Sequence, residues 1–194
     1  MDLVDKIERT EFLGPEFLIW LWFATEVTES QVVLADKQAA ELWLEGQLVL
    51  TDPHDPQEKI TLAGVAPSGG TEAKEALRQG KRPARARLNL TVGEQSYEFS
   101  LEASPFALSG VKLPTLVNEE IDEQFYERMM LLEQLEQIVG GLLEGFVRLR
   151  MSKAWGQHIL PLIQSWVQEA DSFDANEAKR RVMRVFRTYV DAAA

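Results

Sequence analysis

The clearest pattern of hydrophobic and polar positions lies between residues 118 and 153, where apolar side chains recur every three or four residues. This spacing places them along one side of an α-helix, so it predicts one long helix packed against another element. Asn118 is a favourable N-cap, and the acidic residues after it suit the positive end of the helix dipole. Gly140 and Gly141 predict a bend or a close backbone approach inside the helix.

The apolar side of this helix predicts a contact between two copies of the chain. The seam that would form this homodimer interface consists of Leu132, Leu135, Val139, Leu142 and Phe146. Further apolar residues widen the stripe, among them Ile121, Phe125, Met129 and Met130. A helix that is apolar over so much of its circumference is expected to bury more than one side.

Upstream of this helix, alternating apolar and polar residues predict a strand-rich segment. A dense apolar run that begins at Pro15 predicts a short buried helix, because proline is tolerated in a first helical turn. Residues 31–65 show the alternation of a three-stranded meander. A helix over 71–79, a β-hairpin over 85–101 and a strand over 106–113 follow.

Two shorter helices are predicted after the long one, over 154–170 with a kink at Pro161 and over 176–190 with a cap at Asp174. The whole pattern predicts an α+β protein. We expect a strand-rich module over 1–116, followed over 117–194 by the long helix and a C-terminal helical unit, all packed as one compact domain.

Composition excludes several kinds of chemistry. The chain has 194 residues, no cysteine and two histidines, so disulfides, thiolate metal sites and histidine-rich metal sites are excluded. Asp52, His54 and Asp55 lie in a proline-rich segment that favours a surface turn over a metal site. Motifs typical of hydrolases, zinc proteases and nucleotide-binding enzymes are absent from the sequence. We therefore expect a non-enzyme with no catalytic residue, metal or cofactor, cytoplasmic and with no membrane partner.

Charge is distributed unevenly along this acidic chain, whose formal net charge is −11. The basic residues are concentrated in short segments, and this clustering has two interpretations. The segments form a solvated surface that balances charge, or they contact nucleic-acid phosphates without reading bases. The first candidate phosphate-binding cluster consists of Lys81, Arg82, Arg85 and Arg87. The second consists of Lys179, Arg180, Arg184 and Arg187.

Seven short motifs, taken in order, resemble the C-terminal half of the recombination-associated protein RdgC family. They are Phe17-Leu-Ile-Trp20-Leu21, Leu44-Glu-Gly46, Gly80-Lys81, Arg87-Leu88-Asn-Leu90, Phe99-Ser-Leu101, Leu108-Ser-Gly-Val-Lys-Leu113 and Leu142-Leu-Glu-Gly145. The resemblance covers residues 17 to 150. The family's N-terminal half has no counterpart in this chain, and two residues are inserted between Lys81 and the strand that follows.

The resemblance implies a family of dimers that close into a ring, bind double-stranded DNA with little sequence preference and restrain a recombinase. It also implies that Lys81 and Arg87 belong to a DNA-facing surface. The predicted function is therefore sequence-nonspecific DNA binding and modulation of recombination, with double-stranded DNA, a recombinase and a second copy of the chain as partners. The alternative is a helical protein-interaction or oligomerisation module with no role in binding nucleic acid.

Overall fold

The computed structural model describes residues 13–34, 38–55, 57–64, 69–168 and 173–191, and it confirms the predicted α+β class. The helices of this part of the chain are α1 Leu13–Val27, α2 Thr71–Arg78, α3 Ile121–Arg150, α4 Leu160–Gln168 and α5 Ala175–Asp191. The strands are β1 Gln31–Val33, β2 Ala39–Thr51, β3 Lys59–Gly64, β4 Arg82–Val92, β5 Gln95–Glu102 and β6 Ala107–Lys112.

The strands form one antiparallel sheet in the order β1-β2-β4-β5-β6, with β3 pairing alongside the second half of β2. Between Leu44 and Leu48 the strand β2 advances four residues while its partner β4 advances two, from Leu88 to Ala86. Gly46 lies in this bulge with a φ of +83°, a left-handed conformation that glycine adopts without steric cost. The bulge keeps the leucines of both halves of β2 on the buried face of the sheet.

The buried face of the sheet packs against α1, which lies between the sheet and the C-terminal helices. Ten of its fifteen residues are buried, as predicted for so apolar a run. Edge-to-face aromatic contacts join it to the rest of the core: the Trp22 and Trp166 ring centroids lie 5.1 Å apart. The ring centroids of Phe17 and Phe146 lie 5.5 Å apart. A single hydrophobic core therefore contains residues from Phe17 to Val182.

The prediction of one long helix is confirmed, but its predicted N-cap is wrong. Its N-cap is Glu120, and the Asn118 side chain instead donates a hydrogen bond to Glu127 Oε2 at 2.9 Å. Gly140 is exposed, and a Cβ atom there would have open space around it, so a close backbone approach does not occur at this residue. The alternative, a bend at Gly140 and Gly141, stays a prediction.

The C-terminal segment is interrupted close to the predicted kink. A π-helical turn, Trp155–Ile159, precedes α4, and Pro161 is the second residue of that helix. Proline has no backbone N–H to donate, which favours an irregular turn at this point. The predicted cap of α5 is confirmed, since Glu177 N donates to Asp174 Oδ1 at 3.0 Å.

Candidate functional site

The outer face of the sheet carries Arg85 and Arg87, as the alternation of β4 predicted. Each arginine is paired with a carboxylate of the neighbouring strand β5. Arg85 Nε lies 3.1 Å from Glu102 Oε1, and Arg87 forms an ion pair with Glu98. These guanidinium charges are therefore balanced within the sheet.

Glu98 is the central acceptor on this outer face. Lys112 Nζ lies 2.9 Å from its Oε2, and Arg87 donates to its Oε1. The hydrogen bonds from Lys112 and then Arg87 lower the pKa of Glu98 below the ordinary glutamate value. A phosphate group that approached these cations would have to displace an anionic carboxylate.

The other two residues of the first basic cluster have different environments. Gly80 ends α2 with a φ of +91°, and Lys81 turns inward directly after it. The Lys81 side chain is 5% exposed and forms an ion pair with Glu58. Arg82 is exposed. The predicted phosphate cluster therefore contains a buried lysine and two arginines paired with carboxylates.

The second basic cluster lies on α5, on the helical side of the sheet. Lys179 Nζ lies 3.0 Å from Glu29 Oε2, and Arg180 Nη2 lies 2.9 Å from Glu177 Oε2. Arg184 is exposed, and the side chain of Arg187 lies outside the described part of the structure. Because α5 packs on α1 and β1, it lies on the helical side of the sheet, whereas Arg85 and Arg87 lie on the outer face.

The predicted homodimer seam is largely used by the chain's own core. Leu135, Val139 and Phe146 are buried, and Leu132 and Leu142 are half-buried. In the folded chain the three buried residues have no surface to offer a second copy. Their place in the core comes from packing against the body of the protein, which the helix period alone did not identify.

An apolar surface instead lies at the start of the long helix. We call it the α3 apolar face; its side chains are between 53% and 86% exposed, and it comprises Val117, Ile121, Phe125, Tyr126, Met129 and Met130. The sequence indicated this surface, because the apolar stripe of the long helix is wider than one packed side. Within the described residues, no element covers this second side.

The α3 apolar face has a regular geometry. Ile121, Phe125 and Met129 follow one another at intervals of four residues and form one row; Tyr126 and Met130 form the next. The Phe125 and Tyr126 rings meet edge to face, with centroids 5.8 Å apart. These rows present ridges of the kind that a second helix can pack against.

The connection that precedes α3 is tied to the helix by Glu127. Its carboxylate accepts hydrogen bonds from Val117 N at 2.8 Å and from Asn118 N at 3.1 Å. These two backbone hydrogen bonds lower the pKa of Glu127 below the ordinary glutamate value. The bonds hold Val117 next to the first turns of the helix, so contacts within the chain fix this part of the face.

A groove of about 410 Å³ adjoins this face, between the start of β5 and α3. Gln95, Met130, Gln134 and Gln137 contribute to its walls. The Tyr97 hydroxyl donates to Gln134 Oε1 at 3.1 Å, and burial raises the pKa of this phenol. The groove thus combines one apolar side chain of the face with several amide side chains.

Carboxylates surround the α3 apolar face. Between residues 119 and 137 the chain has seven acidic residues and one basic residue, Arg128. The acidic residues are Glu119, Glu120, Asp122, Glu123, Glu127, Glu133 and Glu136. The rim of the apolar surface is therefore strongly negative.

A second cleft, of about 250 Å³, lies between α1, α2, α4 and α5. Trp166 Nε1 donates to Glu26 Oε2 at 2.6 Å, and Lys74 Nζ lies 3.5 Å from Glu26 Oε1. The Lys74 ammonium also lies 5.1 Å from the centroid of the Trp166 ring. These contacts fix α2 and α4 to α1. The cleft is therefore explained by the packing of these helices.

Chemistry of other kinds finds little support in the described residues. His54 N donates to Asp52 Oδ1 at 2.7 Å, which confirms a turn and lowers the pKa of Asp52. No group of three or more potential metal-ligating side chains occurs in this part of the chain. Among the described helices, none combines the length and the apolar content needed to cross a lipid bilayer.

Comparisons with protein-family models, with curated proteins and with solved structures each return no match. The resemblance to the RdgC family therefore stays a prediction from the seven short motifs.

Proposed function

We propose that this chain is a non-catalytic protein-binding module and that the α3 apolar face recognises its partner. One observation carries the proposal: six large apolar side chains within fourteen consecutive residues, from Val117 to Met130, are more than half exposed. Single exposed apolar residues are normal on soluble proteins, whereas a contiguous group marks a binding surface.

The size of the face supports this proposal. Phe125 and Tyr126 are 61% and 68% exposed. At roughly 200 Å² for a fully exposed aromatic side chain, these two rings leave about 250 Å² in contact with water. The four other members are also more than half exposed, so the face reaches at least the upper part of the range of about 300–600 Å² found for the largest, often functional, patches on monomers. Aromatic residues and methionine are also the types enriched at protein interfaces.

The charge pattern favours this proposal over DNA binding. Lys81, Arg85 and Arg87 already have carboxylate partners. Duplex DNA on the outer face would meet two arginines that already have carboxylate neighbours, on a chain whose net charge is −11.

Fluorescence anisotropy with a labelled DNA duplex at several salt concentrations compares the two functions. Four phosphate contacts would give a slope of log affinity against log salt of about −3.6. We expect a slope no steeper than about −1, with little change when Lys81, Arg82, Arg85 and Arg87 are all replaced by alanine. A steep slope that the quadruple variant flattens would favour the DNA-binding function.

Site-directed photo-cross-linking in living cells tests the protein-binding function itself. A photoreactive phenylalanine analogue replaces Phe125, and the control carries it at Thr61, an exposed position on β3. We expect a discrete protein adduct from position 125 that is lost when Met130→Ser is added, and no such adduct from position 61. Equal adducts from both positions, or none from position 125, would overturn the proposal.

A further inference from the structure

We infer that the partner segment bound by the α3 apolar face is a basic amphipathic helix. This inference rests on the proposed function and adds the chemistry of the partner. It follows from the charge that surrounds the face, from the row geometry of the face and from the groove beside it.

The carboxylates lie within one helical turn of the exposed apolar residues. Asp122 precedes Phe125 by three positions, and Glu133 follows Met129 by four, so each is a neighbour of the apolar rows. Both carboxylates are exposed. A partner that covers the rows would bring its own flanking side chains close to these charges, and lysine or arginine there would gain electrostatic complementarity.

The same charges disfavour a second copy of the chain as the occupant. Two α3 apolar faces packed on each other would bring two strongly acidic rims together, with Arg128 as the only basic residue between 119 and 137 on each. Like charges placed opposite each other across an interface cost free energy. The acidic rim equally disfavours nucleic acid and anionic lipid surfaces.

A helix fits the shape of this surface better than an extended strand. The α3 apolar face and the adjoining groove together run along α3 from Ile121 to Gln137, which at 1.5 Å per residue is about 24 Å. The rows of the face, at four-residue intervals, match the ridges of another helix of about 16 residues. The amide groups of Gln95, Gln134 and Gln137 along the groove can receive polar side chains at the edge of such a helix.

A displayed library of helical peptides, each about 16 residues long to match the surface, tests the inference even while the natural partner is unidentified. The peptides have leucine on one face and lysine, glutamate or glutamine in random combination elsewhere. Selection uses the full chain, after counter-selection on the variant with Phe125→Ser and Met130→Ser. We expect the enriched peptides to have a clear net positive charge. Enrichment of neutral or acidic peptides, or no enrichment, would refute the inference.

Charge neutralisation of the chain gives a second measurement on the enriched peptides. Asp122→Asn with Glu133→Gln is expected to weaken their binding at least about threefold. The matched control, Glu41→Gln with Glu72→Gln, removes the same charge from exposed positions away from α3 and should leave binding unchanged. Equal effects in the two double variants would contradict recognition by the acidic rim.

Sedimentation and cross-linking separate the failure of this inference from that of the proposed function. We expect the chain to sediment as a monomer at micromolar concentrations; a dimer abolished by Phe125→Ser and Met130→Ser would identify a second copy as the occupant. Adducts from position 125 without a basic bias in the library would leave the protein-binding function in place and refute only the helix chemistry. If position 125 gives no adduct and the library shows no basic bias, the protein-binding function and the inferred helix chemistry are both rejected.

Discussion

Gly14 stands where the first turn of α1 passes the end of strand β5. A Cβ atom at this position would lie 1.9 Å from the carbonyl oxygen of Ala103 and 2.7 Å from its carbonyl carbon. Both are backbone atoms, and Ala103 is fixed to the sheet because its N–H donates to Ala84 O at 2.8 Å. Gly14→Ala therefore requires the helix or the strand to move.

The size of that movement sets the expected loss of stability. An ordinary Cβ contact is 3.4 Å or longer, so the start of α1 must move back by about 1.5 Å. Phe17 and Leu18, in the next turn, are fully buried and would move with it. A clash of this depth with backbone atoms puts the cost at the upper end of the roughly 1–3 kcal/mol found for overpacking, and the better helix propensity of alanine offsets about 1 kcal/mol of it. We expect a net destabilisation of about 2 kcal/mol and a Tm lower by about 4–8 °C.

Gly140→Ala is the matched control, because the same substitution there meets no neighbouring atom. Gly140 is exposed inside α3, and a Cβ atom would have nothing within 4 Å. Alanine should raise the free energy of unfolding by about 1 kcal/mol through helix propensity alone. Urea unfolding followed by tryptophan fluorescence measures both variants. A Gly14→Ala variant as stable as wild type, or shifts of the same sign in both, would refute the proximity of α1 and β5.

Three further predictions concern charged side chains. Lys81→Met should change the free energy of unfolding by less than about 1 kcal/mol. Glu58→Gln should destabilise the chain more, because it leaves the buried Lys81 ammonium without its anion. Urea unfolding measures both variants. The lowered pKa of Glu98 means that its contribution to stability is complete above the ordinary value of 4.5 and is lost as pH falls through the folded-state value. Wild type should accordingly lose more stability than Glu98→Gln between about pH 5 and pH 3; equal losses would contradict the ion pairs. In NMR titrations, the amide signals of residues 117 and 118 should shift as Glu127 is protonated, at a pH below its ordinary pKa, and should not shift in Glu127→Gln.

Local patterns in the sequence were sufficient for most of the secondary structure. The alternation over 85–101 predicted the β4–β5 hairpin, and the three-to-four spacing after residue 118 predicted α3. Both periods depend only on side chains a few positions apart. The same alternation placed Arg85 and Arg87 on one face of β4, because successive strand residues point to opposite sides.

Only the tertiary structure decided which charged side chains are paired and which apolar side chains are exposed. Arg85 and Arg87 were predicted to contact phosphates, and it is the pairing of β4 with β5 that places a carboxylate beside each of them. Likewise, the helix period could not separate buried Leu135 from exposed Phe125 within α3, because the body of the protein covers only part of the helix.

The sequence by itself determined the α+β class, the order of the elements and the wide apolar stripe of α3. The fold decided which charges are paired and which side of that stripe stays in water. The physical reason is that secondary structure depends on residues close together in the chain, whereas burial and ion pairing depend on residues that are far apart in it. Periodicity depends on neighbours within one or two turns, whereas burial and ion pairing join residues as far apart as Glu29 and Lys179, whose side chains meet at 3.0 Å.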